Sequence, residues 1–216
     1  MKVTHGFVSF TEVEAGEHQS YNQWHLFDHM PEQYPLPGIV FGQRWVLSPE
    51  LRPQMDASAP LDRTHYVTLY LMTEPIEETL TDFRALAVEL REKDRFHLHR
   101  TSHLAGALAV TSCHASAAAL VSSAAVPFRP NRGVHVVLTE GDADAVVEQA
   151  GVAGAWVLRA DEHSPPELRN TTAVWYWLDD DPAVVAPQLT RVGGAYFSAT
   201  FATVDPWSAW DWFDHG

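Results

Sequence analysis

The chain is short of several things, and each shortage removes a class of function. One cysteine, Cys113, among 216 residues excludes an intrachain disulfide framework and argues against a cysteine-based zinc site. Basic residues are scarce: 14 Lys and Arg face 28 Asp and Glu, a net charge of −14. Such a field repels a phosphate backbone, and no Lys/Arg cluster overrides it, so no nucleic-acid partner is expected. No apolar run approaches the ~20 residues of a membrane span. The start, Met1-Lys2-Val3-Thr4-His5, lacks the apolar core and cleavage site of a secretory leader. No membrane partner is expected, and the expected location is the cytoplasm. Phosphate-binding glycine loops, a GxSxG elbow and a Cys–His dyad in a fitting context are missing too, which argues against nucleotide enzymes and serine hydrolases.

What the chain has is aromatic: eight Trp, ten Phe and six Tyr, a supply for cores first and pockets second. Val3 to Glu12 reads as a first strand. Helix formers run from Glu17 to Met30 and are expected to stop at Pro31, which cannot extend a helix from its interior. Pro35, Pro37 and Gly38 form a turn into a second strand, Ile39 to Leu47. Ser48 to Asp62, with three prolines, is a loop. His65 to Thr73 alternates, with Val67, Leu69 and Leu71 on one face and Tyr66, Thr68 and Tyr70 on the other. Glu77 to Lys93 carries a helical stripe of Leu80, Phe83, Leu86, Ala87 and Leu90. His103 to Cys113 completes the order βαββαβ, the ferredoxin-like split unit.

A small-residue stretch, Ala115 to Ala125, followed by Pro127 and Pro130, reads as a connector. The element order then recurs: strand Val134 to Thr139, short helix Asp142 to Gln149, strands Trp156 to Ala160 and Thr172 to Leu178, helix Pro182 to Leu189, strand Ala195 to Thr203. The expected class is α+β, with two tandem ferredoxin-like halves at 1–114 and 131–216 joined by a connector at 115–130. The aromatic tail, Trp207 to Phe213, is expected to pack down, because a free one would expose a large apolar patch.

The chemistry-bearing residues gather near the end of the first helix. His29 stands just before Pro31, preceded by Asp28 and followed by Glu32, with His25 one turn earlier on the same face. A helix C-terminus stabilises an imidazolium, so a raised pKa and acid/base work are expected for His29, with Asp28 or Glu32 orienting it. Alternatively, His29 and Glu32 only cap the helix. His25 and His29 have the spacing of a metal pair, and His97, His99 and His103 form a second histidine group. Neither comes in a metal-binding order, and no metal site is assigned.

On the third strand, Tyr66, Thr68 and Tyr70 face a cavity if Val67 and Leu69 pack on the helices. They are then candidates for substrate binding with Trp24, His25, His5 and Trp45, or else tyrosines of the core. His65 shares a face with Val67 and is expected to point toward the helices. Phe41, Trp175 and Trp177 are further candidate walls. Arg44 could bind a substrate anion or form a salt bridge at the strand edge.

The run Trp24-His25-Leu26-Phe27-Asp28-His29-Met30-Pro31-Glu32 resembles the W-x-x-x-(D/E)-H-x-P-E run of the dimeric α/β-barrel superfamily, and is most similar to its EthD-like small-molecule enzymes. Leu36-Pro37-Gly38-Ile39, Gly42 and Arg44 resemble the turn and arginine-bearing strand that follow it there. The likeness spans roughly residues 3–112, and the second half does not reproduce the motif. It implies a pseudo-dimer within one chain, whose two sheets pack face to face around a cavity. It also implies a choice of chemistries, since members include cofactor-free monooxygenases, polyketide cyclases, lactone isomerases and haem enzymes.

A haem would need a cavity-facing histidine, and of the second half's His135, His163 and His215 none lies on a convincing long helix, so no cofactor is expected. The leading expectation is a cofactor-independent enzyme in which His29 moves protons on a hydrophobic aromatic or polyketide-like small molecule, by cyclisation, isomerisation, elimination or dehydration. A cofactor-free monooxygenase on the same scaffold and a non-catalytic binding protein are the alternatives. Sheet edges left exposed on each half make a homodimer an expected partner state.

Overall fold

The computed structural model describes residues 2–189 and 192–213. His215 lies outside them. Nine strands form one antiparallel sheet: β1 (Val3–Val13), β2 (Ile39–Val46), β3 (Asp56–Ala57), β4 (Tyr66–Thr73), β5 (Arg100–Ala115), β6 (Gly133–Glu140), β7 (Val152–Arg159), β8 (Thr171–Leu178) and β9 (Ala195–Thr203). Their order is β2-β4-β1-β5-β7-β8-β6-β9-β3, and β2 also pairs with β9 through Trp45↔Thr203 and Val46↔Ala202. Eight strands therefore close on themselves, and β3 sits on β9 beside the closure. Each set of four repeats one pattern: β2-β4-β1-β5 and β7-β8-β6-β9 are both second-third-first-fourth in chain order. The edges on which the homodimer expectation rested pair with each other, at β2–β9 and at β5–β7.

Alternation along the strands decides what fills the ring. Val8, Phe10, Val67, Leu69, Leu71, Trp175, Trp177, Phe197 and Phe201 all point inward and form one buried cluster. The resemblance implied an enclosed cavity, but these large side chains pack the centre as a core. Space of about 450 Å³ remains toward one end, lined by Lys2, Val3, Val40, Cys113, Phe128 and Trp156 among others.

The outward face of β1 and β4 is covered by helices. α1 (His18–Trp24) passes through a π turn (His25–His29) into α2 (Met30–Gln33). Pro31 was expected to end the helix, yet the helix runs through it. The π turn bonds the Met30 N–H to the His25 carbonyl, so the ladder is already reset where proline, lacking an N–H, enters. His29 consequently sits mid-helix and loses the expected C-terminal dipole. α3 (Ile76–Glu92) opens with the Glu74 carboxylate accepting the Ile76 N–H at 3.0 Å, and buries Ile76, Leu80, Phe83 and Leu90. Phe83 meets Phe7 and Tyr70 across the layer.

The second set of strands is covered differently. No helix forms over Asp142–Gln149. Ala143, Ala145 and Val147 instead pack on the outer face of β7 and β8 at every second residue, an extended spacing, and Asp142 pairs with Arg159. The expected Pro182–Leu189 helix shrinks to α4 (Pro182–Val185) and a single 3₁₀ turn, Ala186–Gln188, where Pro187 interrupts the ladder. In the tail, Phe213 packs on His18 at 4.0 Å between ring centres, whereas Trp207 stays 83% exposed. No helix among the described residues is long and apolar enough to cross a membrane.

Candidate functional site

One face of the first helix carries Tyr21, His25, His29 and Gln33 at steps of four, and all four line a single cavity of about 200 Å³. Its floor is the outward face of β1, β4 and the start of β5: Phe7, Ser9, Thr11, Thr68, Tyr70, Arg100 and Ser102. Phe83, Ala87 and Phe96 close the side toward α3. The cavity therefore lies between helices and sheet.

That position corrects the assignment of faces on β4. Val67 and Leu69 point into the ring, and Tyr66, Thr68 and Tyr70 point to the helices. Thr68 and Tyr70 reach the cavity all the same, because the cavity is on the helical side. Trp45 does not: it is buried in the ring against Trp175, and its indole N–H donates to Asn131 Oδ1 at 2.9 Å. Trp175 and Trp177 are fully buried in the same core, and Phe41 packs at its margin. None of these four is a wall of the cavity.

Polar atoms without partners concentrate around this space. His25 Nδ1, His29 Nδ1, Gln33 Oε1, the Tyr70 hydroxyl and Arg100 Nε are all buried and have no hydrogen-bond partner among the described residues. Beneath them Arg44 is 2% exposed, with all three guanidinium nitrogens unpartnered. Its guanidinium carbon lies 4.6 Å from the Tyr21 ring centre and 4.7 Å from that of Tyr66, a cation held between two π faces. Among the described residues no carboxylate forms the expected strand-edge salt bridge with Arg44, which lies buried between aromatic rings. Buried polar groups are normally paired, so this many orphans in one place make the cavity the candidate site for a polar ligand.

The electrostatics reverse the expected sign at His29. Burial, then the charge of Arg100, pushes its pKa down to about 3, with Asp28 opposing and Arg44 adding. His25 is held well below the ordinary value by burial, Arg44 and His29. Both rings are neutral at pH 7 and can accept a proton. Burial raises Tyr70 above the usual phenol value, so its hydroxyl stays a donor. Trp24 fixes His29 by stacking on it at 4.5 Å and donates its indole N–H to the Arg95 carbonyl at 2.8 Å. Arg100 lies over the rings of Trp24 and Phe96.

Asp28 and Glu32 are not brought together with the His29 ring by any hydrogen bond. Arg95 Nη2 holds both, at 2.7 Å and 2.6 Å, on the outer side of the helix. Tyr66 is buried beside the site, its oxygen 3.1 Å from Asn22 Nδ2 and 3.0 Å from His18 Nδ1. His5 is elsewhere, 2.9 Å from Asp161 Oδ2. His65 meets the His18 ring edge-on and the Phe213 ring at a tilt, and accepts the Val13 N–H. His97, His99 and His103 turn to Glu17, Glu14 and Glu12 respectively and do not converge.

Among the second-half histidines, His135 spends Nδ1 on Thr200 at 2.8 Å and Nε2 on Ser198 at 3.3 Å, and His163 is beside His5. His135 has no free ring nitrogen, and His163 faces a cleft lined mostly by polar side chains, Glu77, Thr81, Arg84 and Glu162, rather than the apolar walls a macrocycle needs. The 200 Å³ space beside His29 is also below the roughly 300–1,000 Å³ of pockets for drug-sized ligands. The residues present do not fit a haem.

Sequence reasoning missed Tyr21, Gln33, Phe96 and Arg100. The first two were visible as continuations of the His25–His29 spacing, but ending the helix at Pro31 excluded Gln33.

No family model matches the chain, and no curated protein matches it. Solved structures do. A protein provisionally named a chlorite dismutase superposes with a TM-score of 0.53 at 10% identity, covering 99% of both chains. A single-substitution variant of chlorite dismutase from Candidatus Nitrospira defluvii gives 0.50 at 10% identity, over 95% of this chain and 93% of that one. A protein provisionally named a monooxygenase, from Lactobacillus acidophilus, gives 0.39 at 9% identity over 94% of each, too distant to bear on the argument. The likeness at this identity is one of fold.

Proposed function

We propose that the chain is a pair of tandem ferredoxin-like halves of the dimeric α/β-barrel type, in which the first half is an enzyme of proton transfer. The repeated strand order supports the first part. The second part rests on one observation: neutral His25 and His29, the Tyr70 hydroxyl and Gln33 line one cavity with buried, unpartnered atoms, over an unpartnered Arg44. The substrate is a small aromatic compound sized to the 200 Å³ space, its ring against Phe7, Phe83 and Phe96 and an acidic C–H or O–H beside a carbonyl meeting the unpartnered polar atoms. His29 takes the proton. Tyr70, Arg100 and Arg44 stabilise the enolate or phenolate that forms.

The low pKa of His29 does not disqualify it as a base. Arg100 and Arg44 help to hold that pKa down, and an anion forming beside them offsets their charge as the proton moves. Base strength therefore rises along the reaction coordinate.

The test uses an aromatic 1,3-dicarbonyl probe in deuterated water, with loss of its C–H signal followed by NMR. The wild-type chain is expected to accelerate exchange, and His29→Ala to lower that rate by about 10²–10⁴-fold. Equal exchange in a folded His29→Ala chain would remove His29 from the reaction. Tight binding of the probe with no exchange in wild type would leave a binding protein.

A further inference from the structure

We propose a divalent transition-metal site, separate from the cavity above, built from His5, Asp161 and His163. One nitrogen from each histidine and a carboxylate oxygen of Asp161 lie within 4.8 Å of one another. His5 Nε2 is 2.9 Å from Asp161 Oδ2. Neighbouring ligands of an ion bound at about 2.1 Å stand about 3.0–3.5 Å apart. The His5–Asp161 pair stands just inside that spacing and would open slightly around an ion, while His163 would swing inward.

The surroundings are those of a prepared ligand set. His5 is buried on β1, and its other nitrogen, Nδ1, is 3.1 Å from Thr4 Oγ1, which fixes the ring. Asp161 Oδ1 accepts the His163 backbone N–H at 3.0 Å and leaves Oδ2 turned to His5.

The loop bearing Asp161 and His163 is seated firmly. Ser164 Oγ donates to the Ala107 carbonyl of β5 at 2.7 Å. Gly106 lets the loop in, since a Cβ there would come within 2.5 Å of Pro165. His163 also faces an open cleft of about 420 Å³, lined by Glu77, Leu80, Thr81, Arg84 and Glu162. That cleft gives an ion a way in and leaves room for water or a small ligand in the remaining positions. Glu77 and Glu162 favour a cation there, and Arg84 opposes it. Two imidazoles and one carboxylate suit Zn²⁺, Co²⁺, Ni²⁺ or Fe²⁺, and are a poor set for Ca²⁺ or Mg²⁺. Bound metal would clip the β7–β8 loop to β1 across β5, the strand that joins the two sets of four.

The experiment titrates the full chain with Co²⁺ and follows its visible absorption, with metal content measured after dialysis against Zn²⁺. One equivalent per chain is expected, with affinity falling at least about tenfold in His163→Ala and in the isosteric Asp161→Asn. His99→Ala, at an exposed histidine outside the group, controls for surface binding and should leave the equivalent intact. Zn²⁺ should raise the melting temperature of wild type and not that of His163→Ala. No stoichiometric binding by folded wild type, or equal affinity in both variants, would overturn the site. Neither result bears on proton transfer at His29, which lies in the other cavity.

Discussion

The two sets of four strands share an order and differ in what covers them. Over β1, β4 and β5, helices stand away from the sheet on Tyr21, Phe83 and Phe96, and the gap holds unpartnered polar atoms. Over β6, β7 and β8, an extended segment and one short helix lie flat on Val137, Val157, Val174 and Leu178, and their contact is apolar. Buried histidines make the contrast clear. His135 has hydroxyl partners on both nitrogens, while the Nδ1 atoms of His25 and His29 have none. A helix thick enough to stand off the sheet makes room for a ligand, and a flat cover makes core.

The contrast can be broken first at His29. Substitution by alanine is expected to remove about 3–5 kcal/mol of transition-state stabilisation, measured as the fall in exchange rate, with little loss of stability. The mirror experiment is Leu178→Ala in the apolar layer. It is expected to cost about 2–5 kcal/mol in urea unfolding and to leave the exchange rate of the folded fraction unchanged. Arg44→Met sharpens the difference further, because it removes a buried charge without a carboxylate partner. The variant should be more stable by about 1–4 kcal/mol yet slower in exchange, and the pKa of both His25 and His29 should rise.

The next effect is on pH dependence. His29 and His135 have folded pKa values pushed down to about 3 and about 4. Groups whose neutral form is favoured by folding contribute stability at neutral pH that is lost as pH falls below the unfolded value near 6.5. Each should add a slope of about 1.4 kcal/mol per pH unit over that window, seen as a falling urea midpoint and flattened by His135→Gln. The smallest effect is at Asp28. Its pair with Arg95 is open to solvent, so Asp28→Asn should leave the urea midpoint and the exchange rate nearly unchanged.

Much of the fold was legible because alternation and turn residues are local signals. Strands β1, β2, β4 and β9 fall within a residue or two of where the pattern put them. Which face of β4 looks inward was not legible, because Val67 and Tyr66 sit on surfaces that are both buried, one in the ring and one under helices. The helix over Asp142–Gln149 failed for a related reason: the chain there has helix formers, but its alanines and valine fit a flat sheet at a spacing of two. At the site, His25 and His29 could be read from their spacing. Arg100, remote in sequence from both, and the π turn that carries the helix past Pro31, are set by tertiary packing.

The most direct test of the central claim is the titration of the His25 and His29 rings, followed by nitrogen chemical shifts in the intact chain between pH 8 and pH 4. The account predicts two rings that stay neutral until well below the ordinary histidine value, beside an exposed His99 whose pKa is raised by Glu14. A His29 ring that protonates at or above the ordinary value would contradict it, because the proton acceptor would already be occupied at neutral pH.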